Sequence, residues 1–364
     1  MAPPKKIILH IGHGKTGSSA IQSALARNHE LLKTAGILYP EGKASDPARR
    51  GEVTSGNVEI ENWFEGQVIP AARAAEGFGT VLFSNENLFH AFDAFLERHG
   101  DYEQEFAFEI VLFVREPFEK LNSAFQQAVK RRGFAGNISE VAVADTDADR
   151  AAQILRTLDQ RGVPFRLFNY SALRRQAVQA FFEHLGVWDL IRSGGQADVG
   201  TVNRSLTAAE LDFLLHVNQL FGAEFGSVIA DALVHRLPDL KADMVPIDAD
   251  TAERFRLRKI QAVETINAFL PAEEKLRLDP TVMPVTGEGA GRRLSEAQAE
   301  VIRSVFPSAL TYKDGVVLRD IAMKYESGEP LTREDGIALM QFAQKARPHG
   351  QIIAGKLKEW RGQE

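Results

Sequence analysis

The apolar run Ile7-Ile8-Leu9 passes directly into His10-Ile-Gly-His-Gly-Lys-Thr-Gly-Ser-Ser19, and no other stretch restricts the fold as much. An apolar strand that breaks into glycines and hydroxyls and then opens a helix is a site for a phosphate-like anion. Gly12, Gly14 and Gly17 let the backbone curl so that successive N–H groups point inward, and the helix N-terminus adds partial positive charge. Lys15, Thr16, Ser18 and Ser19 supply the ammonium and hydroxyls that would meet it. A strand leading through such a loop into a helix is the opening unit of an α/β fold.

The position of the lysine separates this loop from the triphosphate pattern G-x-x-x-x-G-K-[ST], where lysine directly follows the last glycine. With Gly12 and Gly17 set on that pattern, Ser18 occupies the lysine position and Lys15 lies two residues before Gly17. The cation therefore approaches from the loop, as in a P-loop relative built for something other than a β/γ-phosphate pair. A second anchor lies further along the chain. Glu109-Ile-Val-Leu-Phe-Val114 reads as a buried parallel strand. It ends in Arg115-Glu116-Pro117, and proline suits the first position of a helix. In that helix Phe118, Leu121, Phe125, Ala128 and Val129 share a stripe, while Ser123 falls on the opposite face with Gln126, Gln127 and Lys130. Arginine offers a planar fork and serine a small donor, a pair able to grip a second phosphate.

Lys15-Thr-Gly-Ser-Ser19 together with Arg115-x-Pro117-x-x-x-x-x-Ser123 resembles the two cofactor motifs of the sulfotransferases that use 3′-phosphoadenosine 5′-phosphosulfate (PAPS). Phe165-Arg-Leu-Phe-Asn-Tyr-Ser-Ala-Leu173, followed by Phe181-Phe-Glu-His-Leu-Gly-Val187, is similar to the family's last core strand and the helix after it. The likeness covers roughly the first half of the chain and, more loosely, Val202-Asn-Arg-Ser-Leu206. It implies an α/β fold with a P-loop-type parallel sheet flanked by helices, PAPS as donor, adenosine 3′,5′-bisphosphate as product, and no metal. Gly14, Lys15, Thr16, Gly17, Ser18 and Ser19 would hold the 5′-phosphosulfate, and Arg115 and Ser123 the 3′-phosphate. Gly14 stands where the cytosolic branch usually has proline. That branch's histidine in a Ser-His-Leu-Pro context and its late Arg-Lys-Gly loop are both absent from this chain. The chain looks more like the bacterial and carbohydrate-directed sulfotransferases, in which a glutamate often serves as base. The resemblance thus implies a hydroxyl or amine acceptor of carbohydrate or polar-metabolite type.

With 364 residues, 44% hydrophobic and 25% charged, the chain has the composition of a globular protein, long enough for one large core or about two domains. Basic side chains number 43 against 49 acidic ones, a net charge of −6, so there is no general footprint for nucleic acid. Lys130-Arg131-Arg132 reads first as a solvated helix end and second as a cationic rim for an anion. The absence of cysteine excludes disulfides, thiolate zinc sites and cysteine nucleophiles. The start, Met1-Ala-Pro-Pro-Lys-Lys6, lacks a signal-peptide core, and no run reaches membrane-span length. A cytoplasmic enzyme is expected, in the compartment where PAPS is made.

Ile21, Ala24, Leu25, Leu31 and Leu32 mark one amphipathic helix ending at Gly36, and Ile37-Leu-Tyr39 gives a short strand. Thr80-Val-Leu-Phe-Ser84, 109–114 and 165–168 follow as strands, and residues 41–60 read as a polar, mobile loop over the site. Strands alternating with helices imply a parallel sheet covered on both faces, with ligands at its carboxyl ends. Beyond about residue 190 the chain turns helical. Thr207-Ala-Ala-Glu210 and Ser295-Glu-Ala-Gln298 look like capping boxes, and Thr332-Arg-Glu-Asp335 like a further helix start. The run 287–292 reads as a linker or lid hinge, with helices around Gly328-Glu-Pro330 and a breaker at Arg347-Pro-His-Gly350. This gives an anion-binding core at 1–190, a helical acceptor-side region at 191–310 and a helical extension at 311–364.

Sulfuryl transfer to a hydroxyl needs a group to take the acceptor's proton. Glu86, in Ser84-Asn-Glu-Asn-Leu-Phe89, leaves its strand between the two anion motifs and is the candidate base; a helix cap is its structural alternative. His13, inside the loop, is the rival base or a sulfate donor, and otherwise a histidine that satisfies backbone. His90 reads as an ordinary surface or core histidine, and no residue set has metal-ligand spacing. Two other functions remain open. One is a P-loop small-molecule kinase using ATP, which would want lysine after Gly17 and a strand-ending aspartate for magnesium. The other is a non-catalytic module that binds a nucleotide or glycan.

Overall fold

The computed structural model describes residues 4–52, 54–194, 204–284, 293–327 and 332–362. The expected hinge at 287–292, the turn at 328–330 and the first two residues of the 202–206 segment lie outside them. Five strands form one all-parallel sheet in the order β2-β3-β1-β4-β5. They are β1 (Lys5–Gly12), β2 (Ile37–Leu38), β3 (Thr80–Ser84), β4 (Phe106–Val114) and β5 (Phe165–Asn169). Helices between the strands are α1 (Ser18–Arg27), α2 (His29–Thr34), α3 (Ser45–Arg49), α4 (Ile69–Ala74), α5 (Asp93–Arg98), α6 (Pro117–Arg132), α7 (Ile138–Ala144) and α8 (Asp147–Gln160). After β5 come α9 (Tyr170–Leu173), α10 (Ala177–His184) and α11 (Trp188–Gly194). The remainder is helical: α12 (Ala208–Phe221), α13 (Ala223–Arg236), α14 (Ala249–Asn267), α15 (Glu296–Ala309), α16 (Tyr312–Met323), α17 (Arg333–Ala346) and α18 (Gln351–Arg361).

The chain divides into two compact units. The first comprises 1–124, 137–202 and 245–287, and the second 125–136, 203–244 and 288–364, so one boundary falls inside α6. In the first unit the pleat sends alternate residues to opposite faces of the sheet. Ile7, Leu9, Ile11, Phe83, Ile110 and Leu112 join a core with α8 and α14, where Leu155, Leu158, Val263 and Ile266 are buried. Ile8, Leu82, Val111, Phe113 and Phe168 join the other core, with Ile21 and Leu25 of α1 and Phe181 and Phe182 of α10. Both faces are covered, which is why these strands read as continuous apolar runs.

The second unit has its own packing. The buried Asn218 amide donates to the carbonyls of Val129 (2.8 Å) and Phe134 (3.1 Å), and the Arg204 guanidinium clamps Glu210 at 2.7 and 2.8 Å. Met340, Ala343, Ile353, Leu357 and Trp360 make a separate core among α16, α17 and α18. Thr207, Ser295 and Thr332 each cap a helix, and all three close reciprocal capping boxes.

Three sequence expectations change. The helix expected to run unbroken to Gly36 is split, because the Asn28 amide (2.8 Å) and the Asn28 N–H (3.1 Å) both take the Ala24 carbonyl. A side chain that competes for the backbone ladder in this way ends α1, and α2 restarts after it. Gln126 and Lys130, expected on an open face of α6, are buried. Gln126 accepts from the Leu206 N–H at 2.9 Å, so polar residues there satisfy neighbouring backbone. Arg131 and Arg132 are exposed at the end of α6, as expected of a solvated helix end, and Arg131 pairs with Asp231 at 2.7 Å.

Segment 41–60, expected as a polar, mobile loop over the site, contains α3 and is tied to the end of β3. Asn57 accepts from the Ser84 N–H (2.9 Å) and donates to the Pro40 carbonyl (2.9 Å), and its own N–H reaches the Ser84 carbonyl (3.1 Å). Gly56, at φ 111, bridges Asn85, and a Cβ there would overlap the Ser84 carbonyl. Both the backbone conformation and the contact require glycine. Gly56→Ala is therefore expected to cost about 1–3 kcal/mol of stability. Urea unfolding measures this, and a change under about 0.5 kcal/mol would show that the segment is not pinned as described.

Candidate functional site

Strand register decides which side chains meet at the carboxyl edge of the sheet. β1 pairs with β4 as far as Gly12↔Phe113, with β3 as far as His10↔Ser84, and β4 pairs with β5 as far as Val114↔Asn169. Just past these ends lie the 13–17 loop, Asn85 and Glu86, Arg115 and Tyr170. The strand order adds a second consequence. The connection from β1 leaves toward β2 and that from β4 toward β5, so the crevice between β1 and β4 is the switch point where open α/β sheets bind ligands.

Lys15 (φ 75) and Gly17 (φ 83) both adopt the left-handed region, which curls the loop before α1. Such curled backbone presents N–H groups to one concavity. Gly17 is the N-cap residue of α1, and a Cβ on it would lie 2.6 Å from the Tyr170 ring. The buried Thr16 hydroxyl is used within the loop, donating to the His13 carbonyl at 2.9 Å. Ser18 opens α1 and is 3% exposed, yet its hydroxyl has no hydrogen-bond partner among the described residues. A buried hydroxyl normally has a partner, and an anion in the loop would supply one. Gly14 and Ser19 are half-buried, and a side chain at Gly14 would meet open space. The Lys15 side chain is exposed and its charge reaches Glu86.

His13 braces the loop against β4. Its Nε2 accepts the Arg115 N–H at 3.2 Å, and its Nδ1 faces the Gly14 carbonyl at 3.4 Å, an arrangement that suits a neutral ring protonated on Nδ1. Burial, with the Lys120 charge nearby, holds its pKa down at about 4. The nitrogen that would act as a base is thus already engaged by backbone.

Arg115 is oriented on three sides. Its Nη1 donates to the Lys15 carbonyl at 3.0 Å, its Nε lies 3.3 Å from Glu119 Oε2, and the guanidinium stands 5.5 Å from the centre of the Tyr170 ring. Glu119 is a hub. It also accepts from the Ser171 hydroxyl (3.0 Å) and from Arg174 Nη2 (2.9 Å), while Ser171 Oγ accepts the Glu116 N–H (3.0 Å). Ser123, half-buried, is one turn beyond Glu119 on the same side of α6.

Glu86 opens a short 3₁₀ turn, Glu86–Phe89. The cap is Asn85, whose Oδ1 accepts the Asn87 N–H at 2.7 Å and whose amide donates to the Val58 carbonyl at 2.5 Å. Glu86 is therefore not the cap of its turn. Burial raises its pKa above the ordinary carboxyl range, and Lys15 opposes that rise. His90, exposed at the end of the turn, lies 4.0 Å from Asp147, which is paired with Lys120. Among the described residues no group of three or more His, Asp or Glu side chains is placed to hold a metal, and no helix is long and apolar enough to cross a membrane.

The loop, Glu86 and Arg115 thus share one edge, and Ser123 follows along α6. Glu119, Ser171 and Arg174 were not singled out by sequence reasoning, although Tyr170 and Ser171 lie in the 165–173 stretch that was. The Arg115–Glu119 spacing of four residues was a local signal for that pair, whereas Ser171 and Arg174 reach Glu119 from more than fifty residues away, which no local spacing reveals. No protein-family profile matches this chain, nor does any curated protein or solved structure.

Glu116, which leads into α6, offers a test of this electrostatic picture. Burial pushes its carboxyl up to about 7, against the Arg277 N–H at 2.6 Å and with help from the Glu119 charge. A carboxyl raised in the folded state binds its proton more tightly there than when unfolded. The stability it contributes is present below the ordinary carboxyl value and is lost as pH rises through about 7. The melting temperature of Glu116→Gln, relative to the unaltered chain, is therefore expected to rise between pH 5 and pH 8. A difference that stays constant over that range would contradict the assignment.

Proposed function

We propose that this protein is a sulfotransferase that moves a sulfuryl group from PAPS to a hydroxyl or amine acceptor and releases adenosine 3′,5′-bisphosphate. The observation that carries this reading is the clasp between the two anion motifs. Arg115, at the end of β4, donates to the Lys15 carbonyl, within the loop that follows β1. Two cationic elements built into one crevice suit a ligand with two separate anionic groups. The buried, unpartnered Ser18 hydroxyl fits an anion at the start of α1. Gly14, Lys15, Thr16, Gly17, Ser18 and Ser19 would hold the 5′ end, Thr16 through its backbone, and Arg115 and Ser123 the 3′-phosphate.

PAPS, when bound, supplies an activated sulfuryl group on a phosphate leaving group. The residues of this chain then have distinct tasks. Glu86 accepts the proton of the attacking hydroxyl, and its raised pKa makes it a stronger base than an exposed glutamate. The Lys15 ammonium and the loop N–H groups stabilise negative charge on the departing oxygen. His13, neutral and engaged by the Arg115 N–H, keeps the loop and the arginine in register. The carbohydrate or similar polar acceptor follows from the resemblance to the bacterial and carbohydrate-directed sulfotransferases.

Two measurements test the reading. A ligand that binds only the folded state stabilises it by about 2.7 kcal/mol at a hundred times its Kd. Adenosine 3′,5′-bisphosphate is expected to raise the melting temperature at concentrations where ATP and 5′-AMP do much less, and equal shifts from all three would remove the 3′-phosphate site. Glu86→Gln keeps shape but cannot take the proton. Turnover on a sulfuryl acceptor should fall about 10²–10⁴-fold with the Kd for the bisphosphate nearly unchanged. Full turnover in that variant would remove Glu86 from the chemistry.

A further inference from the structure

On the sulfotransferase reading, Arg115 and Ser123 receive the 3′-phosphate, and a third side chain, Arg174, meets the carboxylate that orients Arg115. Arg174 Nη2 lies 2.9 Å from Glu119 Oε1, and Arg115 Nε lies 3.3 Å from Oε2 of the same carboxylate. Two guanidinium groups are therefore held side by side by one carboxylate. Like charges gather in this way around an anion, and a phosphate offers more acceptor oxygens than the carboxylate that now joins them.

The backbone gives an independent reason to look at Arg174. It sits at φ 45, ψ −107, just after the end of α9, a conformation that glycine adopts freely and that strains any other residue. Nothing in the packing asks for arginine there, since most of the side chain is exposed (69%). From this turn Arg174 Nε donates to the Ser171 carbonyl at 3.1 Å and the guanidinium reaches Glu119. Strain retained at a position where a relaxed residue would fit is a mark of function.

We infer that Arg174 is a second binding residue for the 3′-phosphate, acting beside Arg115. Glu119 is their shared counter-ion in the ligand-free protein. The phosphate gains a second charged fork, and 5′-AMP, which has no 3′-phosphate, gains nothing from it. Arg174 would then set how strongly the site prefers a 3′-phosphorylated nucleotide.

The test uses the full chain, isothermal titration with adenosine 3′,5′-bisphosphate and with 5′-AMP, and the variants Arg174→Gly and Arg174→Lys. Glycine relieves the strained turn, so the unliganded variant should melt no lower than the unaltered protein. It should nevertheless lose preference for the bisphosphate by about tenfold or more, with the Kd for 5′-AMP unchanged. Lysine keeps the charge without the fork and should fall between the two. An unaltered protein that prefers the bisphosphate, with Arg174→Gly keeping that preference in full, overturns the role of Arg174 alone. A parallel loss of affinity for both nucleotides overturns it as well. An unaltered protein with no preference overturns the sulfotransferase reading and this inference with it.

Discussion

The register between β1 and β4, which sets Gly12 opposite Phe113, places the loop that follows one strand and the arginine that follows the other at a common edge. Parallel strands share a direction, so residues just past paired ends come out on the same side of the sheet. The first loop residue, His13, thus meets the Arg115 N–H, and the Arg115 guanidinium reaches the Lys15 carbonyl. The same geometry on the other flank, His10 opposite Ser84, brings Glu86 alongside the loop. A shift of one residue would turn the apolar set of a strand to the wrong face, so the two cores that lock the sheet also lock the site.

Electrostatics then depends on how the charges at that edge are spaced. Lys15, Arg115, Arg174 and Lys120 bring positive charge to one region, and each is matched by a nearby acid or carbonyl. Glu119 serves Arg115 and Arg174, Asp147 serves Lys120, and the charge of Lys15 is felt at Glu86. Behind the first layer, Lys259 is buried between Asp145 and Asp149. His13 is kept neutral by burial first and then by the charges of Lys120 and Arg115, against the opposing charge of Asp147. A neutral ring can accept a backbone N–H where a charged one could not, and that bond is what ties the loop to β4.

The division of labour that results is physically economical. Backbone shapes the concavity of the loop, through the left-handed residues Lys15 and Gly17 and the start of α1. Side chains add direction. Tyr170 fills the space that only glycine at position 17 leaves, and its ring lies beside the Arg115 guanidinium. The candidate base stands apart from the capping work of its own turn, which Asn85 performs. The Glu86 carboxyl is therefore not tied to the stability of the turn that carries it.

Much of this was legible in the sequence where the determinant is local. Buried parallel strands are continuous apolar runs, so β1, β3 and β4 could be read from Ile7–Leu9, Thr80–Ser84 and Glu109–Val114, although β4 begins earlier, at Phe106. Capping boxes at Thr207 and Ser295 span four residues, and their chemistry is complete within that span. The glycine and hydroxyl loop after β1, and the arginine before Pro117, could be named because each is a short pattern with a backbone consequence. Tertiary structure decided what those pieces meet. That Gln126 and Lys130 are buried, that Asn28 breaks a helix, and that 41–60 is pinned through Gly56 follow from partners that no periodicity encodes. The Glu119 hub is the clearest case. Arg115 is four residues from Glu119 and meets it locally, but Ser171 and Arg174 come from the turn after β5, and only the pairing of β4 with β5 brings them to the same carboxylate.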